Sequence, residues 1–305
     1  MEKKTPMRTH KGAGYILHEE VQHPTPALLR AAQIGVLVHD EPAFAEREDK
    51  DALLVVSYGA ARKEARALAV EPLMEAIAAE NPETDIYEAY TSSVMRAKVK
   101  AEAGTEIPSA EEALNALLQG GYTRVAIASL HLFPGAEYLG MVDLFNAWKT
   151  RFKRLVLGAP LLYWMGQEEQ RDDAEDMTRA LQASLPPTTE DEATLLLAHG
   201  TQHPSNAFYT ALQTRFEMAG WPRLEHIIPF LRELGIRRVR LVPLMLAVGA
   251  HASRDMAGDA PGSHRSRLIE EGFEVEVFQK GLGELPAVRE LYVERANEAW
   301  DKLRA

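Results

Sequence analysis

The run Gly121-Tyr-Thr-Arg-Val-Ala-Ile-Ala-Ser-Leu-His-Leu-Phe-Pro-Gly-Ala-Glu137 recurs, without a gap, as Gly235-Ile-Arg-Arg-Val-Arg-Leu-Val-Pro-Leu-Met-Leu-Ala-Val-Gly-Ala-His251. Gly, Arg-Val, two leucines and a Gly-Ala pair return in register. Each run reads as a strand followed by a loop, so the pair implies two similar halves. At the end of the register a carboxylate, Glu137, stands where the other half has an imidazole, His251. Both groups bind metals and handle protons. One duplication therefore predicts the fold and the place of a site together.

The alternation of strands and helices continues on both sides. Leu53-Leu-Val-Val-Ser-Tyr-Gly59 is a short apolar run closed by glycine, the pattern of a buried parallel strand with a turn at its end. Helical spacing covers 63–80, and 85–90 reads as a strand. Thr91-Ser-Ser93 offers an N-cap for a helix over 94–102. Ser109-Ala-Glu-Glu112 is a capping-box pattern opening a helix over 109–119 that ends on Gly120-Gly121. A strand over 124–130, a helix after Gly140 and a strand over 154–158 follow.

The stretch 181–190, with Pro186-Pro187, marks a boundary. After it Thr194-Leu-Leu-Leu-Ala-His-Gly200 restarts the pattern, and His199 takes the place that Tyr58 holds in the first half. Helices over 206–218 and 225–234, strands over 239–244 and 273–278, and an amphipathic helix over 284–304 complete the second half. The expected architecture is α/β: two similar halves, each a parallel sheet flanked by helices, with an active cleft between them. Residues 1–50 form an extension whose structure the sequence leaves open, 51–187 the N-terminal half, and 188–305 the C-terminal half with the final helix. The second half is shorter by about one strand and helix, and the gap falls near Trp221-Pro222.

Composition narrows the chemistry. The chain has no cysteine, which excludes disulfides, thiolate catalysis and Cys-ligated zinc or iron–sulfur sites. Any metal must sit on His, Asp or Glu. A net charge of −11 argues against nucleic acid as a partner, which would need a basic face. No apolar run approaches the roughly 20 residues that span a bilayer, so a membrane is not an expected partner. The apolar stretch Ile34-Gly-Val-Leu-Val38 begins too far along for an ordinary signal peptide and is broken by His39 and Asp40. The expected location is the cytoplasm.

In open α/β sheets, ligands bind beyond the carboxyl ends of the strands. Four such ends are named here: Tyr58-Gly59, 131–137, His199-Gly200 and 249–251. If the halves face each other, they converge on a cleft holding Glu137, His199 and His251, with His131 and Tyr58 nearby. A single histidine at a strand end is usually structural; three ionisable groups at matched ends favour function. His203 reads as a helix-start residue, His226 as core or rim, and His264 as within reach of an anionic ligand. There is no dinucleotide fingerprint, P-loop, nucleophile elbow or His-Glu-x-x-His. Ser57 has no recognisable partner that would make it a nucleophile.

The runs around Leu53–Gly59, Tyr90-Thr-Ser-Ser93, Ser129-Leu-His-Leu-Phe-Pro-Gly-Ala-Glu-Tyr138, Ala198-His-Gly200 and Gly281-Leu-Gly-Glu-Leu-Pro-Ala287 resemble those of the anaerobic, CbiK-type sirohydrochlorin cobalt chelatases. Pro243-Leu-Met-Leu-Ala-Val-Gly-Ala-His-Ala-Ser-Arg-Asp-Met-Ala-Gly-Asp259 is the most specific match. The resemblance implies a class II chelatase fold and insertion of Co2+ into sirohydrochlorin, an early step of anaerobic cobalamin biosynthesis. By motif it makes His199 and His251 the active-site histidines and Glu137 the active-site carboxylate. Metallation expels two pyrrole protons, so His199 is assigned as general base, with His251 and Glu137 holding or guiding the ion. A weak His/Glu site with displaceable waters suits a metal that must be handed over.

The substrate is an anionic tetrapyrrole with several carboxylates, so a binding rim is expected. Ser57, Tyr58, His131, the Ser92–Ser93 helix start, Arg96, Lys98 and Arg265 are its candidates. No prosthetic group is implied; Co2+ is a substrate, with Fe2+ or Ni2+ as alternatives that His and Glu ligands do not separate. A non-catalytic tetrapyrrole or metal carrier is the reading from a different class, and a homo-oligomer is compatible with the sequence. The shortened segment near Trp221 and the first fifty residues are departures from the family pattern.

Overall fold

The computed structural model describes residues 34–166, 170–215, 224–250 and 252–305, with 7–9, 15–17, 21–23, 25 and 28 from the first thirty. Met7–Thr9 (β1) and Tyr15–Leu17 (β2) pair as a short antiparallel ribbon. The remaining strands form two sheets. The first contains Leu37–Asp40 (β3), Asp51–Ser57 (β4), Asp85–Tyr90 (β5), Arg124–Ser129 (β6) and Arg154–Leu157 (β7), in the order β3-β7-β6-β4-β5. All neighbours are parallel except β3, which runs antiparallel to β7. The second sheet, from Glu192–Leu197 (β8), Arg238–Pro243 (β9) and Glu274–Val277 (β10), is parallel in the order β10-β9-β8.

The sequence echo is a structural repeat. The duplicated runs become β6 and β9, each the strand between its two parallel partners. Asp51 pairs with Arg124 in the first sheet as Glu192 pairs with Arg238 in the second. That register superposes β4 on β8 and places Tyr58 on His199.

The loops repeat as well. Gly121 donates to the Leu118 carbonyl at 3.1 Å, and Gly235 to the Arg232 carbonyl at 3.1 Å. Both glycines have positive φ, 80° and 74°, where a side chain would be strained. Leu130 N–H reaches the Val56 carbonyl at 2.8 Å as Leu244 N–H reaches Leu197 at 2.9 Å.

Strand alternation divides the first sheet between two cores. Leu54, Val56, Val125, Ile127 and Leu155 face helices Ala110–Gln119 and Ala136–Trp148 through Leu114, Leu117, Met141 and Phe145. Leu53, Val55, Ala126, Ala128 and Val156 face the opposite way. They pack with Leu73 and Ile77 of Glu71–Glu80, Met177 and Leu181 of Asp173–Ser184, and Tyr292 to Trp300 of Pro286–Arg304. Leu212 and Leu244, beyond the ends of β8 and β9, join this same core. The second sheet's other face is covered by Leu224, Ile228 and Leu231 of Leu224–Glu233 and by Leu268 of His264–Glu270.

The expected strands are all present within a residue or two, as are the capping box at Ser109 and Glu112 and the Ser92 cap, which accepts the Met95 N–H at 3.3 Å. Four features differ from the sequence reading. The helix expected after Gly140 begins at Ala136, because Gly140 lies on an open surface and does not break it. Helices Asp173–Ser184 and His264–Glu270 were not expected; Asp172 and Ser263 cap them. Part of the N-terminal extension is structural, since β3 closes the edge of the first sheet through Arg154, which grips Asp40. The boundary at 187 falls between the sheets, but the packing crosses it: the final helix lies on β6 and β7 of the first sheet. The segment near Trp221 lies outside the described residues. No helix among the described residues is long and apolar enough to cross a membrane.

Helix 63–80 contains a wider π turn at Arg66–Val70 just before Glu71 and Pro72. Proline offers no N–H to the preceding turn and crowds its carbonyl, which the wider turn relieves.

Candidate functional site

Two loop contacts bring the strand ends of the halves together. The loop after β6 meets the segment after β8: Phe133 stacks on Phe208 with ring centres 6.2 Å apart and meets Tyr209 edge-on at 5.0 Å. A Cβ on Gly135 would lie 3.3 Å from the Ser205 hydroxyl. The loop after β9 meets the segment after β4: Ala247 packs against Ala60, Ala65 and Val70. Gly281 presses on Leu246 and Ala247, and Gly283 presses on Ala69. Since β4 matches β8 and β6 matches β9, these contacts are equivalent to one another. The halves exchange loops at the carboxyl ends of their strands.

Glu137 is the second residue of Ala136–Trp148, in the first turn after Gly135, and exposed. Unpaired N–H groups at a helix start favour a carboxylate there. His199 follows β8 and is exposed. Its Nδ1 lies 3.4 Å from the Gly200 carbonyl. That contact sets the ring beside the Gly200 backbone. Burial pushes the Tyr209 phenol up to about 12, and its oxygen lies against the Gly200 backbone. His251 lies outside the described residues. Among the described residues no three His, Asp or Glu side chains converge on a point that would hold a metal.

The loop between His199 and the following helix is braced from within. Asn206 accepts the Thr201 N–H at 3.0 Å and also donates to its carbonyl, while Thr201 Oγ1 accepts the His203 N–H at 3.1 Å. His203 begins a helical turn, as expected, with Nδ1 accepting the Ser205 N–H at 3.2 Å. Its proton therefore sits on Nε2, which is a donor.

His131 belongs with the supports and not with the cleft walls. It is 7% exposed, with Nδ1 2.9 Å from the Ser129 hydroxyl and Nε2 3.4 Å from Thr91. Burial pushes its pKa down to about 4, which keeps it neutral. Thr91 in turn donates its N–H to the Ser57 carbonyl at 2.9 Å. Neutral His131 thus ties the ends of β4, β5 and β6 to each other.

The rim residues separate in the same way. Tyr58 is 47% exposed, whereas Ser57 is 2% exposed. Ser92 is occupied as a cap, and Ser93 is exposed in the first turn of Ser93–Ala103. Arg96 is held by Glu112 at 2.9 Å, and Arg265 by Asp259. Those two cations are internally neutralised, while Lys98 remains exposed. His226 is exposed on its helix, and His264 is half-buried with Nδ1 enclosed.

The family model for cobalt chelatase (CbiK) matches residues 51–301. A sirohydrochlorin cobaltochelatase of Salmonella typhimurium is 32% identical over 260 residues, covering 82% of this chain and 96% of the relative. Sirohydrochlorin cobaltochelatase CbiKC of Nitratidesulfovibrio vulgaris is 32% identical over 263 residues, covering 82% of this chain and 90% of its own. The crystal structure of the sirohydrochlorin chelatase SirB from Bacillus subtilis subspecies spizizenii, in complex with cobalt, aligns over 84% of this chain and 97% of its own. The TM-score is 0.51 at 12% identity, a likeness of fold.

Proposed function

The chain belongs to the cobalt chelatase (CbiK) family, and from that premise we propose that it inserts Co2+ into sirohydrochlorin, releasing two protons. The observation that carries the reading to these residues is the loop contact that sets the Glu137 helix start against the braced His199 loop.

A planar tetrapyrrole needs an apolar platform and a base. Tyr58, Val94 and Leu139 are large apolar side chains left exposed just beyond β4, β5 and β6. They suit the faces of a macrocycle. His199, exposed just after β8, is the base that takes a pyrrole N–H proton. Glu137 draws the divalent ion, and oxygen and imidazole ligands with displaceable waters release it to the four pyrrole nitrogens. His251 enters by its motif as the second imidazole. Ser93 and Lys98 are the rim groups left open to the substrate's carboxylates.

Purified protein mixed with sirohydrochlorin and Co2+ should accelerate the change in tetrapyrrole absorption over a protein-free control. His199→Ala should lower kcat by about 100-fold or more. Near-parental rates would remove His199 as the base, and tight binding without turnover would instead mark a carrier.

A further inference from the structure

A group of buried polar side chains at the carboxyl ends of β4 and β5 has no role in the mechanism above. Ser57 ends β4 directly opposite Tyr90, which ends β5. The two residues are 2% and 0% exposed. Glu88 lies two residues earlier, on the same face of β5. Arg66, from the π turn, approaches Glu88 at 3.5 Å and sits 5.9 Å above the Tyr90 ring.

The Ser57 hydroxyl and Arg66 Nε are enclosed without a hydrogen-bond partner, while the enclosed Tyr90 hydroxyl lies against the Glu88 carboxylate and the Ala60 backbone. Enclosed polar atoms without partners are costly, and a fold rarely keeps two in one place for stability. Donors and acceptors are both represented, so water can link them into a chain.

The cluster has an inner and an outer end. Ser57 immediately precedes the exposed Tyr58 at the cleft. Glu88 belongs to the edge strand of the first sheet, and its side chain keeps 21% exposure. Desolvation raises the Glu88 pKa and Glu71 adds to the rise, while Arg66 and Tyr90 oppose it. A carboxyl so placed exchanges protons closer to neutral pH than an ordinary one.

We propose that Ser57, Tyr90 and Glu88 form, with intervening water, a proton-exit path from the cleft to the outer edge of the first sheet, with Arg66 orienting the Glu88 carboxylate. The proposal rests on the metal-insertion reading. A macrocycle lying over the strand ends shields its own underside from bulk water, while each turnover expels two protons there. The base passes a proton to the chain. Each hydroxyl accepts one and gives one up, Glu88 takes the last and releases it to solvent, and every group returns to its starting state.

The test is steady-state Co2+ insertion by Glu88→Gln and Tyr90→Phe across the neutral pH range, with and without added formate. The relay predicts a kcat lowered by about tenfold in each variant, little change in KM for sirohydrochlorin, an altered pH profile, and recovery with formate in Glu88→Gln but not in the parent. Tyr90→Phe keeps the ring that packs against Gly59 and carries the test if Glu88→Gln fails to fold. Unchanged kcat and pH profile in an active protein overturn the relay alone, as does a loss in Glu88→Gln that formate does not restore. No insertion by the parent chain overturns both readings.

Discussion

His131 and His199 are both histidines just beyond strand ends, and the fold gives them opposite fates. Strand patterning places both near the cleft, but burial depends on what packs around each ring. Ser129 and Thr91 enclose His131, whereas His199 stays exposed to solvent on a braced loop. Those partners come from distant parts of the chain, so only the strand-end position was legible. The same limit hid the ion pairs that occupy Arg96 and Arg265.

The burial of His131 has a consequence for stability. Its folded pKa of about 4 lies below the ordinary value of 6.5, so the unfolded chain binds the proton more readily. The neutral ring's contribution is complete above about pH 6.5 and is lost as pH falls toward about 4, with a ceiling of about 3 kcal/mol. His131→Leu cannot titrate, so urea midpoints at about pH 7.5 and about pH 5 should show the parent losing its advantage over the variant in acid. A parallel decline of the two proteins would refute the assignment.

At the scale of elements, period-2 and period-3.6 patterns were enough to find the strands and most helices, because burial on one face repeats along each element. The helix Asp173–Ser184 was missed because its start is acidic and polar; its buried face, Ala174, Met177 and Leu181, shows only against a partner. The amphipathic pattern of the final helix was legible, but not the sheet it covers. That choice rests on a buried ion pair: Arg295 meets Asp173, both shielded from solvent. Asp173 also accepts the Tyr163 and Trp164 N–H groups at 2.8 and 2.6 Å and meets Arg171 at 2.9 Å. Removing the carboxylate takes an acceptor from four donors at once, whereas removing the guanidinium leaves three of the carboxylate's contacts in place. Asp173→Ala should therefore cost about 3 to 5 kcal/mol in urea unfolding, and Arg295→Met about half as much. The reverse order would show that the aspartate is not the hub.

At the scale of the whole molecule, the duplication gives two sheets but not two independent bodies. The halves are joined by the two equivalent loop exchanges, by a core containing Leu212 and Leu244 beside the first-sheet residues, and by the final helix laid across β6 and β7. Sequence similarity between the halves made the repeated strand-loop units legible. It could not show the crossing, because β6 and β9 look alike whichever half each one packs against. A chain cut at 187 would lose the helix that covers Ala126, Ala128 and Val156, and so should not hold its fold. The full chain should unfold in urea as one transition, with far-ultraviolet dichroism and tryptophan fluorescence coinciding. In a Trp221→Phe background, Trp148 and Trp164 report on the first half and Trp300 on the final helix. If the second sheet melted first, a dichroism change would precede the fluorescence change, and the shared core would not be what joins the halves.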